Sequence, residues 1–146
     1  RFSQLYDEYG ECCKHQHWLG RIVAYAFAGQ HLRMPAGAAK RNFLHIKDAV
    51  SLMCAAAENN ITGRLDVCHP ESMTCQEIAQ LAYDVFRSGG VYEIASEKQA
   101  FRDIFIPETS KSFDSLNYWP QISMKQGLEM IKLSGKPGEF GPMDVS

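Results

Sequence analysis

Residues 41–50 limit the possible folds more than any other stretch of this chain, because a short alternating segment there runs directly into a helical pattern. Phe43, His45 and Lys47 fall on one face of an extended strand, and apolar side chains fall on the other. Asp48 follows and is predicted to be the N-cap of a helix, because its carboxylate can accept from the free amides of a first turn.

The residues after Asp48 are predicted to form a helix that ends near Asn59. Four side chains recur at the spacing of one helical face and are predicted to be its apolar side: Val50, Met53, Cys54 and Ala57. Arg41 would then lie at the edge of a strand-to-helix unit that has buried apolar residues on both of its sides.

The remaining elements predict an α+β fold with about five helices and several short strands, too scattered for a full doubly wound sheet. Residues 18–28 have a helical apolar face and end at Gly29. Thr74 with Glu77, and Ser123 with Gln126, have the spacing of capping boxes that begin two further helices. Short strands are predicted at residues 1–6, 29–34, 64–68 and 91–95.

The composition excludes several classes of partner. With 146 residues, 45% of them hydrophobic and 22% charged, the chain is long enough to bury the core of one globular domain. A net charge of −2 gives no basic surface for nucleic acid or for an anionic membrane. The longest apolar run, residues 22–28, is too short to span a bilayer, and residues 1–10 lack a signal-peptide core, so a cytoplasmic protein is predicted.

The cysteines and histidines predict neither disulfides nor a metal site. His15 and His17 are two residues apart, do not share a helical face and have no third ligand nearby. The five cysteines form no C-x-x-C motif and are predicted to be reduced thiols, mostly in the core: Cys12, Cys13, Cys54, Cys68 and Cys75.

Three motifs in order resemble one enzyme family. Arg41-x-Phe-Leu-His-Ile-x-Asp-Ala, the Arg1-x-x-x-Leu-Tyr strand, and Ser110-Lys111 followed by Leu116 and Pro120 are similar to segments of the extended short-chain dehydrogenases. These are NAD-dependent nucleotide-sugar epimerases and dehydratases of the UDP-galactose 4-epimerase type. The resemblance covers residues 1–133 and implies a substrate-binding domain from the half after the catalytic Tyr-x-x-x-Lys, with residues 134–146 as a mobile tail.

The resemblance also implies roles for particular residues. Arg41 matches the arginine that grips the substrate diphosphate, and Lys98 or Arg102 would be a second cation. The family's asparagine on the first strand is Gln4 here, one methylene longer. The resemblance implies six substrate-binding residues in all: Arg41, Phe43, Gln4, Tyr6, Arg102 and Lys98.

The chain has no recognisable catalytic machinery of its own. It contains no glycine-rich dinucleotide turn and no Tyr-x-x-x-Lys; the nearest imitation is Tyr83 with Arg87, on an amphipathic helix. NAD would thus be bound by an absent Rossmann half, through which family members also form oligomers. The start at Arg1, without a methionine, predicts a piece of a longer protein that is inactive alone.

One alternative stays open from the sequence. Gln4, Asp7 and Glu8 depart from the family's Asn, Gly and Pro, and the turn before Arg41 is shorter than usual. These departures would suit a non-catalytic interaction or regulatory domain that kept the fold and lost the ligand.

Overall fold

The computed structural model describes residues 1–10 and 17–134. The described chain contains five helices and six short strands. In chain order these are β1 (Gln4–Tyr6), α1 (His17–Ala28), β2 (Leu32–Pro35), β3 (Lys40–Arg41), β4 (Phe43–His45), α2 (Ile46–Glu58), β5 (Met73–Thr74), α3 (Cys75–Phe86), β6 (Tyr92–Ala95), α4 (Ser110–Leu116) and α5 (Met124–Ser134). The predicted α+β class is confirmed.

The described strands pair in three two-stranded sheets. β1 pairs with β4 in parallel, with Gln4 opposite Phe43 and Tyr6 opposite His45. β2 pairs with β6 in parallel, and β3 pairs with β5 in an antiparallel ladder of two residue pairs. Since β3 and β4 are separated by the single residue Asn42, these two ladders meet at the segment that holds Arg41.

Two hydrophobic cores lie on the two sides of this junction. The larger core joins α1, α3 and α5 and includes the rings of Tyr6 and Phe43. The smaller core lies beneath α2 and α4 and includes Leu44, Leu52 and Phe113. Alternation along β4 therefore sends Phe43 into one core and Leu44 into the other.

The locally encoded helices form as predicted. α1 buries its predicted face, and at its end Gly29 has a φ of +67° and approaches Ser88 too closely for any side chain. Thr74 and Glu77 exchange both capping-box hydrogen bonds, with Thr74 Oγ1 accepting from the Glu77 amide at 3.2 Å. Ser123 and Gln126 do the same at the start of α5.

Helix α2 differs from the prediction at its start and in the face that it buries. The helix begins at Ile46, and its N-cap is His45, whose Nδ1 accepts from the Lys47 amide at 3.2 Å. Asp48 lies inside the first turn, so its predicted role as N-cap is wrong. The buried side is Ala49, Leu52 and Ala55, whereas the predicted apolar face is exposed. Both stripes are apolar, so periodicity alone could not choose between them.

Three smaller predictions are also corrected. Residues 64–68 form no strand, because Val67 alone makes a bridge, to Phe2. Helix α3 ends at Phe86 because Arg87 adopts the left-handed conformation with φ 52°, two residues before the glycines predicted to stop it. Cys54 is exposed rather than part of a core.

Some predictions concern residues outside the described part of the chain. These are the mobile tail predicted at residues 134–146, of which only Ser134 is described, the environment of Cys12 and Cys13, and the expectation that His15 and His17 hold no metal.

Candidate functional site

The guanidinium of Arg41 is tied to the segment that follows β6. Nη2 donates to the backbone oxygen of Arg102 at 2.7 Å, and Nη1 donates to that of Lys40 at 3.0 Å. The guanidinium carbon lies 5.9 Å from the centre of the Phe101 ring, a cation–π distance. These contacts orient the side chain while engaging two of its five N–H donors, which leaves donors for an anion.

The two candidates for a second cation lie in different places. Arg102 is exposed and its backbone touches Arg41, although the two residues are 61 positions apart in the sequence. Lys98 instead donates from Nζ to the backbone oxygen of Arg33, at 3.1 Å, on β2. The structure thus brings the backbone of Arg102 to Arg41 and holds the Lys98 side chain against a different strand.

Asn42 fixes the backbone beside Arg41, and sequence reasoning missed it. Its side chain is buried; Oδ1 accepts from the His69 amide at 2.7 Å, while Nδ2 donates to the His69 carbonyl at 2.7 Å and to Ser72 Oγ at 2.9 Å. This amide therefore ties the β3–β4 junction to the turn before α3. The sequence held one signal, a polar residue between Arg41 and the buried Phe43.

A cavity of about 450 Å³ lies beside β1 and Asn42. Residues 104–107 contribute much of its apolar lining, and Gln4, Asn42 and Cys68 are among its other lining residues. Within the described part of the chain, Gln4 Oε1 and Ser3 Oγ are buried without a hydrogen-bond partner. Leaving a buried polar atom without a partner costs roughly 1–3 kcal/mol of stability. A hydrogen-bond donor from a ligand or a water molecule would therefore bind favourably at these atoms.

Tyr6 and Phe43 pack into the larger core and do not line this cavity. Their rings meet edge-on with centroids 6.5 Å apart, and both side chains are buried. Tyr6 also contacts α5 so closely that a Cβ built on Gly127 would lie 2.1 Å from the tyrosine hydroxyl. The two aromatic rings therefore support the strands that hold Gln4 and Arg41, and their contact with a ligand stays a prediction.

A cluster of charged groups lies at the junction of β4 and α2. Glu8 Oε1 is 2.7 Å from Lys47 Nζ, and Glu8 Oε2 is 3.3 Å from His45 Nε2, a contact without hydrogen-bond geometry. Burial alone would raise the pKa of Glu8, but its hydrogen bond with Lys47 and the nearby positive charge outweigh that effect and lower it. Desolvation of the fully buried His45 lowers its pKa, although Glu8 opposes the shift.

Protonation of His45 is expected to destabilise the fold. The folded-state pKa lies below the ordinary value of 6.5, so the unfolded state takes up the proton first as the pH falls. The stability present above pH 6.5 is then lost as the pH falls from 6.5 toward the folded pKa, by at most about 1.4 kcal/mol per pH unit. Urea unfolding at pH 7.5, 6.5, 5.5 and 5.0 measures this loss.

The matched variant for this measurement is His45→Asn. Asparagine can still accept from the helix amides as an N-cap but does not titrate. The variant should therefore show a flatter stability profile between pH 6.5 and 5, whereas an unchanged profile would assign the loss to other groups. The carboxylates with lowered pKa values, such as Glu8, lose their contribution below their ordinary value of 4.5, outside this window.

Three other reactive side chains, those of Tyr83, Cys75 and Cys68, have pKa values raised by burial. The Tyr83 hydroxyl donates to the Gln30 carbonyl at 2.7 Å, and burial raises its pKa to about 12, opposite to the shift that a tyrosine base needs. Burial likewise raises the pKa of the Cys75 thiol to about 12 and raises that of Cys68. The described residues contain no group of three or more histidine, cysteine or acidic side chains placed to hold a metal.

Two glycines of the described chain are packed closely against backbone atoms. A Cβ on Gly29 would lie 2.1 Å from the Ser88 carbonyl, and one on Gly90 would lie 2.6 Å from the Gln30 carbonyl. These glycines thus pack backbone against backbone and are not open to a pyrophosphate. Separately, none of the described helices has the length and apolar character needed to cross a membrane.

No protein-family model matches the chain. A curated relative, UDP-glucuronic acid decarboxylase 1 from Arabidopsis thaliana, is 25% identical over 134 residues; the match covers 88% of this chain and 30% of the relative. The chain therefore spans less than a third of the length of that relative.

Solved structures of similar fold include two epimerases and a dehydratase. UDP-N-acetylglucosamine 4-epimerase from Bacillus cereus is 24% identical with a TM-score of 0.73, covering 92% of this chain and 44% of the epimerase. A variant of UDP-glucuronic acid 4-epimerase from Bacillus cereus, in complex with a fluorinated UDP-sugar and NAD, is 19% identical with a TM-score of 0.73, covering 95% and 44%. dTDP-glucose 4,6-dehydratase from Bacillus anthracis, in complex with NAD, is 19% identical with a TM-score of 0.69, covering 97% and 45%.

These comparisons confirm the resemblance predicted from the motifs at the level of the fold. The match runs over nearly all of this chain and over less than half of each solved chain. The chain therefore shares its fold with part of these solved epimerases and of the dehydratase.

Proposed function

We propose that this chain is the substrate-binding domain of an NAD-dependent nucleotide-sugar epimerase or dehydratase, and that it holds the diphosphate-sugar. NAD and the catalytic tyrosine and lysine belong to an amino-terminal half outside this sequence. NAD supplies hydride transfer to that parent enzyme, and the present chain determines which sugar nucleotide is held beside it.

One observation supports the proposal: the segment of Arg41 and Asn42 meets the segment of residues 102–107 beside the cavity. Arg41 bonds to the backbone of Arg102, the next residue Asn42 lines the cavity, and residues 104–107 form its apolar wall. A ligand with charge at one end and a ring at the other could therefore contact both features at once. This is the distribution of charge in a nucleotide-sugar.

The residues have separate roles in this proposal. Arg41 presents a planar fork that suits the paired oxygens of a diphosphate, and Arg102 adds a second positive charge from the exposed side. Gln4 contributes an amide whose oxygen is otherwise unpaired and can accept from a sugar hydroxyl. Tyr6 and Phe43 keep β1 and β4 in register beneath these groups, and Lys98, bound to β2, has a lesser part.

Arg41→Ala is expected to weaken binding of UDP by about 10- to 100-fold, because removing a charge-assisted pair costs roughly 1.5–3 kcal/mol. Isothermal titration and thermal shift with UDP, dTDP and UDP-glucuronic acid would measure the loss. Arg41→Lys should recover part of the affinity, since it keeps the charge but loses the fork.

Arg33→Ala is the control for a general loss of positive charge. Arg33 is also partly exposed and lies on β2 in ion pairs with Glu93 and Glu97, away from the cavity lining. The Arg33→Ala variant should bind UDP as the wild type does. Equal losses in both variants, or wild-type binding that does not depend on Arg41, would contradict the diphosphate site.

The competing function is that of an interaction or regulatory domain that binds no nucleotide-sugar. The ion pair of the buried Glu8 with the exposed Lys47 gives this departure from the family sequence a structural use, so it need not reflect a lost site. Complete absence of nucleotide binding in wild type, with the fold intact by circular dichroism, would favour an interaction or regulatory domain.

A further inference from the structure

A small pocket of about 10 Å³ lies beside the β3–β4 segment and is separate from the larger cavity. Arg41 and Phe43 line this pocket, whereas Asn42 between them lines the cavity. The volume is roughly that of one water-sized atom. Its apolar lining residues are Phe43, Met73, Ile78 and Met124. The pocket therefore has room for one oxygen atom of a ligand, in surroundings that are mostly apolar.

His69 lines the same pocket and is fixed beside Arg41 by the side chain of Asn42. Asn42 Oδ1 accepts from the His69 amide at 2.7 Å, and Asn42 Nδ2 donates to the His69 carbonyl at 2.7 Å. Because Asn42 is the residue after Arg41, these two bonds hold the turn of His69 against the strand of Arg41. The two lining side chains are thus brought together before any ligand binds.

The His69 ring is oriented by a hydrogen bond within its own turn. Nδ1 accepts from the Glu71 amide at 3.0 Å, which is shorter than its 3.3 Å contact with the Glu71 carbonyl. A neutral imidazole has one donor nitrogen and one acceptor nitrogen, so this bond places the proton on Nε2. Among the described residues, that Nε2–H has no hydrogen-bond partner and is available to a ligand.

Arg41 supplies positive charge to the pocket. Two backbone oxygens engage its Nη1 and Nη2, and other N–H groups of the guanidinium remain for a ligand. A guanidinium and an imidazole N–H that border one oxygen-sized space suit an anionic oxygen, because both groups donate. Such charge-assisted bonds are shorter and stronger than bonds between neutral groups, and apolar surroundings strengthen them further.

Glu71 is the one acidic residue among the described residues that line the pocket, and its charge opposes an anion there. The side chain is exposed, so solvent and salt screen this charge. A site for a phosphate oxygen would thus have one unfavourable charge beside two favourable donors.

We propose that His69 is a substrate-binding residue, and that its Nε2–H and the Arg41 guanidinium donate together to one oxygen of the bound diphosphate. This rests on the proposed function, which assigns a diphosphate to Arg41. His69 lies outside the three family motifs of this sequence, so those motifs do not indicate the role.

Two substitutions at His69 separate ligand binding from the structural role of the ring. Asparagine has an oxygen near the position of Nδ1 and can still accept from the Glu71 amide, but it has no group near the position of Nε2. Glutamine has an amide nitrogen near the position of Nε2 and no acceptor near that of Nδ1. We expect His69→Asn to weaken UDP binding about 10-fold and His69→Gln to weaken it less than about 3-fold, measured by isothermal titration at pH 7.5.

The order of these two losses decides the outcome. Equal losses, or a larger loss in His69→Gln, would show that the ring acts through the Glu71 amide and would overturn the proposal, as would UDP binding that neither variant changes. His31→Asn is the matched control, because His31 is exposed, lies 3.5 Å from Glu93 and does not line the pocket. This control should bind UDP with unchanged affinity, and circular dichroism checks that every variant is folded.

Glu71→Gln tests the sign of the charge that the pocket accepts. Removing the carboxylate should tighten UDP binding by about 2- to 3-fold at low salt, because a like charge is lost near the ligand, and the gain should shrink at high salt. Weaker binding in this variant would show that the pocket does not take an anion and would overturn the proposal.

Pyrophosphate is titrated beside UDP to separate this inference from the proposed function. UDP binding that depends on Arg41 but not on His69 would reject the role of His69 and keep the proposed function. Pyrophosphate binding that depends on both residues, with no higher affinity for UDP or UDP-sugars, would keep the pocket and reject the nucleotide-sugar. Absence of binding of either ligand to the wild type would overturn both.

Discussion

Replacing Asp48 by alanine is expected to lower the free energy of unfolding by roughly 3–5 kcal/mol. The buried carboxylate accepts from the Tyr118 hydroxyl at 3.1 Å and from the amides of Gln121 and Ile122, each at 2.9 Å. Alanine leaves these three donors without their partner, and each hydrogen bond to a charged group contributes about 1.5–3 kcal/mol, without strict additivity. Urea unfolding followed by circular dichroism measures the change.

Two milder variants separate the bonds of Asp48. Tyr118→Phe removes only the hydroxyl bond and should cost about 1 kcal/mol. Asp48→Asn keeps one acceptor oxygen and should fall between that value and the value for alanine. If Asp48→Ala costs no more than Tyr118→Phe, the carboxylate does not hold the segment between α4 and α5 in place.

Gly127→Ala is the second large effect, expected at about 2–3 kcal/mol of lost stability. The added methyl would lie 2.1 Å from the Tyr6 hydroxyl and 2.6 Å from a ring carbon, closer than real contacts allow. The Tyr6 ring extends from β1 and is fully buried against α5, so either the strand or the helix must move. The helix propensity of alanine offsets about 1 kcal/mol of the cost.

A double-mutant cycle with Tyr6→Leu tests this cause. Leucine removes the ring atoms that the methyl meets, so Gly127→Ala in that background should be neutral or slightly stabilising. A similar cost in both backgrounds would show that the clash with Tyr6 is not responsible. Thermal unfolding of the four proteins gives the coupling energy directly.

The sequence predicted the features that depend on neighbouring residues. Thr74 with Glu77, and Ser123 with Gln126, form their capping boxes because both partners are three residues apart and meet whenever the helix starts there. Asn117 adopts the left-handed conformation with φ 51° at the end of α4, which asparagine tolerates without any distant partner. The α+β class followed from the pattern of helices and short strands, and the resemblance to part of an epimerase fold followed from the three family motifs.

The candidate site was predicted only in part. Arg41 was identified from a motif, but its contact with the backbone of Arg102 depends on a hydrogen bond across 61 residues. Asn42 and the wall of residues 104–107 gave almost no local signal, because their partners lie in distant segments. Tyr6 was predicted as a ligand contact, yet in this chain it packs against Gly127, a residue of the last helix.

What the sequence determined by itself is therefore the helices α1, α3 and α5 and the two capping boxes, since these arise from interactions within a few residues. Tertiary structure decided which apolar face of α2 is buried, because both faces satisfy the same periodicity and only the position of the smaller core distinguishes them. Tertiary structure also placed Asp48 inside the helix, because its carboxylate accepts from backbone amides more than 70 residues away. His45 is the N-cap instead and accepts from the Lys47 amide.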